Sequence, residues 1–506
     1  MTQSYVSRGA IAVLAAAIAT PSFADITPDD VWGSWQSYLS GFDLDIKATE
    51  EHSGDDIFIT DLTVSFEIPE EDGTITLIFP DMDFVSRGDG TVELKYGADM
   101  QFTALLEGDG GPDTKASIDV AHTGLSTIAS GDPDDITYTY SAASLTYSVG
   151  EVLVEGEPLE AIGAQIEGDV TVTGMTGLVN IATQGLTSIE QDVRYNNVSY
   201  DIRFVAPEDE GSFVTAATIE DLRMQSAFSI SENIDVEDPA SIFNDELNIA
   251  IEMTQGASET SMSGNDGNGP FSSQSSSSSG SFGLVFNSDV FEASMSSFDA
   301  SFNVFGEEIP LPISAEIGEA SLAFSLPLAE SAEPQAFFMD FAFVDLMVPD
   351  LLWNIFDPGA ALDRGPATVS LGLEGTTKLM MGAFNPEFFE NDDVPATLES
   401  LTLTDLEVSF AGAELTGAGD FTFDNMDMDS FDGFPRPEGA ADFRLLGGNQ
   451  LLDSLISMGL VSEGDAMGAR MMMGLFTVAG PGEDELNSRL EVNGEGHVLA
   501  NGQRLR

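Results

Sequence analysis

Side chains able to do chemistry are supplied very unevenly along this 506-residue chain. Aspartate and glutamate number 87, lysine and arginine 16, histidine three and cysteine none. Without cysteine there are no disulfides, thiolate metal ligands or cysteine nucleophiles. His52, His122 and His497 lie far apart, with no H-x-H or H-E-x-x-H spacing to bind zinc. No G-x-S-x-G elbow presents a serine nucleophile, and no glycine loop leads into a phosphate-binding lysine.

Carboxylates are so numerous that any fold brings some pairs to glycosidase spacing, so their abundance identifies no reaction. Asp132-Pro133-Asp134-Asp135 and Asp424-Asn425-Met426-Asp427-Met428-Asp429 are dense in the hard oxygens that Ca²⁺ requires. In the second run Asp424, Asp427 and Asp429 are the candidate metal ligands. Neither run has the EF-hand order of glycine and terminal glutamate, and a solvated acidic loop is the competing reading. Apart from calcium, no cofactor is implied.

The apolar candidates are more specific. Trp32, Trp35 and Leu39 follow one another at helical spacing after Thr27-Pro28-Asp29-Asp30, a capping residue, a first-turn proline and two acids that suit a helix dipole. Gly41 is placed to end that helix. Two tryptophans on so short an element predict a plug docked on a sheet, with carbohydrate stacking as the alternative. Met467, Met471 and Leu475 share one face of a late helix. That stripe is expected to cover a sheet end, or to bind an apolar partner pliably.

The elements that must position these residues are mostly strands. Phe58, Leu62, Val64, Phe66 and Ile68 share one parity, and Ile75, Leu77 and Phe79 follow after a Glu70-Glu71-Asp72-Gly73 turn. Similar alternation recurs in 137–147, 170–172, 198–204, 247–253 and 282–286. The fold class expected is mainly β: extended antiparallel sheets, meander or sandwich-like, curved around an apolar concavity. A short N-terminal helix, a helix at 350–357 and a C-terminal helical pair within 449–476 complete it. The organisation expected is 25–253 as one sheet region, 254–281 as a Gly/Ser-rich flexible loop or linker, and 282–506 as a second sheet region.

One local motif repeats. Thr60-Asp61-Leu62-Thr63-Val64-Ser65-Phe66 returns as Thr404-Asp405-Leu406-Glu407-Val408-Ser409-Phe410, with looser copies around Asp221 and Asp345. In the strict copies the apolar phase slips by one residue at the aspartate. Because a one-residue slip turns side chains to the other face, a β-bulge is expected there.

At its start the chain carries Arg8, an apolar run from Ala10 to Ala19 and a small-residue site before Asp25. Residues 1–24 therefore read as a secretory signal peptide, too short in its apolar run to span a bilayer. The expected location is periplasmic. A net charge of −71 argues against nucleic-acid partners, because phosphate binding depends on lysine and arginine. An outer-membrane barrel is disfavoured: only three tryptophans and eight tyrosines are available for interfacial girdles.

The Thr27-Pro28-Asp29-Asp30-Val31-Trp32 opening, the central Trp353-Asn354-Ile355-Phe356-Asp357-Pro358-Gly359 and the closing Ala500-Asn501-Gly502-Gln503-Arg504-Leu505 together resemble an uncharacterised exported family, domain of unknown function 2125. That resemblance implies export and a sheet-rich body, and supplies no catalytic residues. Two function classes follow. One is a non-catalytic envelope protein that binds lipid or a protein partner in a sheet-lined groove. The other is a hydrolase built on a carboxylate pair, assisted by calcium.

Overall fold

In a computed structural model the described residues are 25–40, 44–68, 73–108, 112–183, 186–207, 211–231, 247–265, 267, 269–307, 309, 311–385, 388 and 395–506. The expected signal peptide, Gly41 and the Glu70–Asp72 turn lie outside them. The chain is mainly β, in one antiparallel sheet that grows strand by strand along the sequence. From Asp135–Val154 onward the path is a near-continuous meander, each long strand pairing with the next. In places two short strands lie end to end against one long one, as Met82–Ser86 and Gly73–Ile78 do against Asp56–Ile68.

Both ends of the sheet are managed edges. Among the described residues Asp45–Ser53 pairs only with Asp56–Ile68, so the sheet does not close on itself. That edge strand carries Asp45, Lys47, Glu50, Glu51 and His52, charges that discourage pairing with another chain. The other edge ends in two very short strands, Val498–Ala500 and Gln503–Arg504.

Cross-strand register explains the core. Directly opposed residues share a face, and one face stays apolar from strand to strand. The row Ala142–Met175 runs beside Leu145–Val172–Val198–Ile219, and much farther along Phe324–Met339–Leu373–Leu403 repeats the pattern. The opposite face carries threonine, serine, aspartate and glutamate.

Mid-strand, the apolar parity switches. Ile57 and Ile59 give way to Leu62 and Val64, Ala217 and Ile219 to Leu222 and Met224, and Phe341 and Phe343 to Leu346. At each switch an aspartate stands in the left-handed region: Asp61 at φ 54°, Asp221 at 49° and Asp345 at 56°, joined by Asp299 at 46°. Aspartate tolerates that conformation better than most residues, since its short side chain can hydrogen-bond locally. The bulge expected from the repeated motif is therefore present, and in the 404–410 copy the register breaks between Leu403 and Leu406. Gly174, at φ 62°, does the same work in Gln165–Ala182, where a Cβ would collide with the Asn196 side chain.

These interruptions align across neighbouring strands. Asp221 lies opposite Asn196, between the Tyr195–Leu222 and Asn197–Glu220 pairs. Asp299 faces Gly318, between Phe298–Glu319 and Ala300–Ile317. A crease thus crosses the sheet, and the compensating slip keeps the same face apolar on both sides of it.

The segment 254–281 corrects the sequence expectation. Instead of a loop dividing two regions, it belongs to the strands Asn248–Gln255, Ser258–Asn265, Pro270–Ser277 and Ser279–Asn287, all paired within the sheet. Its serines bond across strands: Ser258 Oγ to Ser277 Oγ at 2.8 Å, Ser276 Oγ to Ser301 Oγ at 2.8 Å, and Ser281 Oγ to Ser296 Oγ at 2.7 Å. Strands flanked on both sides have their backbone groups satisfied by neighbours, so they need little apolar surface of their own.

The expected helices are present: Pro28–Ser40, Asp350–Phe356, Gly448–Ser457 and Glu463–Phe476. Ser462 caps the last, accepting from Asp465 N at 3.1 Å. Among the described residues no helix is long and apolar enough to cross a membrane.

Candidate functional site: an apolar cavity beneath the N-terminal helix

The helix Pro28–Ser40 begins with a reciprocal cap: Thr27 N donates to Asp30 Oδ2 at 2.9 Å, and Asp30 N to Thr27 Oγ1 at 3.2 Å. It lies against the first strands and buries Val31 and Trp32 fully among Ile57, Ile59, Phe84, Val92 and Ile136. Phe84 is the centre of the contact, with Trp32 at 5.9 Å and Trp35 edge-on at 5.7 Å between ring centroids. Each indole has a polar partner. Trp32 Nε1 donates to Glu50 Oε1 at 2.7 Å, and Trp35 Nε1 to the Tyr138 hydroxyl at 3.0 Å.

Around Trp35 the helix and the strands beneath it line an open-sided cavity of about 570 Å³. Trp35 and Leu39 roof it. Leu62, Val64, Phe79, Met100, Phe102, Val120, Tyr138, Tyr140, Leu145, Tyr147, Met175 and Val179 of the underlying strands line it. Such a volume is in the range of small-molecule sites. Burial pushes the phenols of Tyr96, Tyr138 and Tyr140 up to about 12, and raises that of Tyr147 as well. These hydroxyls stay neutral at any physiological pH.

The apolar face continues past the cavity. Met224, Phe282, Met295, Phe302, Met339 and Val408 all lie on it at more than a third of full exposure, uncovered by any described residue. On the opposite, polar face Asp169, Asp201, Glu259, Gln274, Asn303 and Glu316 line a shallow concavity of about 950 Å³.

The residues singled out from sequence divide as follows. Trp32 is core, and Trp35 lines the cavity. Met467 and Met471 do not join them: they stand 70% and 72% exposed on the last helix. That helix turns Ala466, Arg470 and Met473 inward instead, and Arg470 bonds Asp453 at 2.6 Å and Asn449 at 3.2 Å on the preceding helix. The expectation that the methionine stripe covers a sheet end is thus corrected.

Asp424 and Asp427 converge, but on a guanidinium: Arg436 lies 3.0 Å from Asp424 Oδ2 and 3.1 Å from Asp427 Oδ2. Bonds from Ser430 first, and Arg436 after, hold the Asp427 carboxyl below the usual range. Asp429 stands exposed. Among the described residues no three histidine, aspartate or glutamate side chains are grouped to hold a metal.

Carboxyls with raised pKa occur on the open polar face. Asp340 lies opposite Gly372, which lies opposite Asp405. Burial, then Glu374 and Asp405, raise Asp340, while burial, then Glu414, Asp405 and Asp345, raise Glu407.

Sequence reasoning missed the tyrosines of the cavity lining. The alternation in 137–147 marks the strand, but only the phase switch between Ala142 and Leu145 puts Tyr138, Tyr140 and Tyr147 on a single face.

No family model and no curated protein matches the chain, so the resemblance to the exported family draws no support from them. Among solved structures, the ferric citrate transporter FecA in its unliganded form is matched at 8% identity, over 91% of this chain and 76% of that chain, with a TM-score of 0.14. That score carries no structural argument.

Proposed function

We propose that this protein is a non-catalytic, exported component of the cell envelope that binds a lipid by its hydrocarbon chain. The cavity beneath the N-terminal helix would hold the chain, and the adjoining apolar face would extend the binding surface. The observation that carries this reading is the cavity itself: about 570 Å³ walled almost wholly by aliphatic and aromatic side chains, and contiguous with exposed apolar sheet. Apolar surface left open on so large a scale marks a binding function more often than a packing defect. A periplasmic location, membership of the exported family and cleavage before Asp25 belong to the same proposal.

The test is native mass spectrometry of protein purified from its own compartment, with solvent extraction of bound material. Co-purified lipid supports the reading. Leu39→Asp, which places a carboxylate in the cavity roof without touching the buried Trp32–Phe84 contact, should release that lipid while circular dichroism stays unchanged. A wild-type chain that carries no lipid and takes up no apolar dye would overturn it.

A further inference from the structure

We infer that the cavity selects a lipid whose polar end is uncharged, an alcohol or an ester, over a fatty acid or an anionic phospholipid. The inference rests on the lipid-binding reading and names the ligand class of the same site. Every side chain lining the cavity is neutral; the polar ones are Ser34, Thr127 and the tyrosines. Among the described residues no lysine, arginine or histidine lines it.

The lysines on the surrounding strands are already engaged. Lys95 pairs with Glu93 at 3.6 Å, Lys115 with Glu151 at 2.8 Å, and Lys47 with Asp45. A carboxylate or phosphate entering here would lose its water and find no counter-charge, in a protein whose net charge is −71. An uncharged end meets complementary groups instead. The Tyr138 oxygen accepts from Trp35 Nε1, so its own proton is free to point at a ligand oxygen. Burial keeps the tyrosines in the donor form.

The experiment uses the full mature chain loaded with N-phenyl-1-naphthylamine and titrated with two competitors of equal chain length, 1-hexadecanol and palmitate. At about pH 8, well above the carboxyl range, hexadecanol should displace the dye at a concentration lower by roughly tenfold or more. Acidification toward pH ~5 should improve palmitate, whose carboxyl is then increasingly protonated, and leave hexadecanol unchanged. Palmitate equal to or better than hexadecanol at the higher pH overturns the headgroup inference while leaving lipid binding intact. If neither competitor displaces the dye, the lipid reading itself fails, and this inference with it.

Discussion

Replacing the four left-handed aspartates that stand within strands tests whether the crease is a backbone device or an electrostatic one. Asp61, Asp221, Asp299 and Asp345 have φ between 46° and 56°. An L-residue without a local hydrogen-bonding side chain loses about 1–2 kcal/mol in that region, and a β-branched one fits it worst. Asp221 and Asp299 are three strand steps apart, about 14 Å at ~4.8 Å per step, so their effects should add.

Four alanines would then cost about 4–8 kcal/mol, comparable to the roughly 5–15 kcal/mol that holds an ordinary domain together. Four asparagines should cost little, because asparagine tolerates the same conformation and differs only in charge. The assay is urea denaturation followed by circular dichroism, for the single variants Asp221→Asn, Asp221→Gly, Asp221→Ala and Asp221→Val and for the two quadruple sets. The expected order is asparagine and glycine near wild type, alanine lower, valine lowest, with the quadruple alanine chain failing to fold. If asparagine proves as harmful as valine, the aspartates are retained for their charge and the backbone argument is wrong.

Phe84→Ala should lower stability by about 3–5 kcal/mol, since Phe84 is fully buried between Trp32 and Trp35; loss of the near-ultraviolet tryptophan signal before the sheet melts would locate the damage at the helix. Asp340 has its folded pKa raised, so it favours the folded state at low pH and loses that contribution as pH rises from the unfolded value of 3.8 through the folded one. Asp340→Asn should therefore raise the melting temperature at neutral pH and leave it unchanged in acid. Asp192 is the opposite case: bonding to Arg223, at 2.7 Å, depresses its pKa, so its contribution is present above 3.8 and lost as pH falls. Asp192→Asn should lower the melting temperature at neutral pH, with the difference vanishing in acid. Calcium should leave the wild-type melting temperature unmoved but raise that of Arg436→Ala, in which Asp424 and Asp427 lose the guanidinium they share.

Much of the architecture was legible because strand parity is a local property. The alternation around Phe58 to Ile68 marks a half-buried strand, and the slip at Asp61 requires a bulge whatever the rest of the chain does. What could not be read is what depends on neighbours distant in sequence. The serine-rich strands order themselves because partners flank them on both sides, and their low hydrophobicity signals disorder only to a reader who sees the segment alone. The last helix carries apolar residues on two faces, so nothing local says that Ala466 and Met473 turn inward and Met467 outward. Asp424 and Asp427 look like calcium ligands until register brings Arg436 opposite Asp424. The cavity needed two facts at once, the helix plug and the phase switch after Ala142, and only the first is visible in the spacing of Trp32 and Trp35.

An open sheet with one apolar face is a liability in water, and the charge distribution answers it. Strand edges are the sites where a second chain would pair, and here one edge carries charges while the other ends in strands of three and two residues. The face that cannot be hidden in this way is the apolar one, whose exposed phenylalanines and methionines would drive self-association. A net charge of −71 opposes that contact over a distance set by salt, about 8 Å at physiological ionic strength, while leaving an uncharged amphiphile free to approach. On the proposed lipid-binding reading, repulsion of like copies and admission of neutral ligands would be one electrostatic property. The acidity that opposes pairing of the apolar face with its own kind would, on that reading, also turn away anionic lipids.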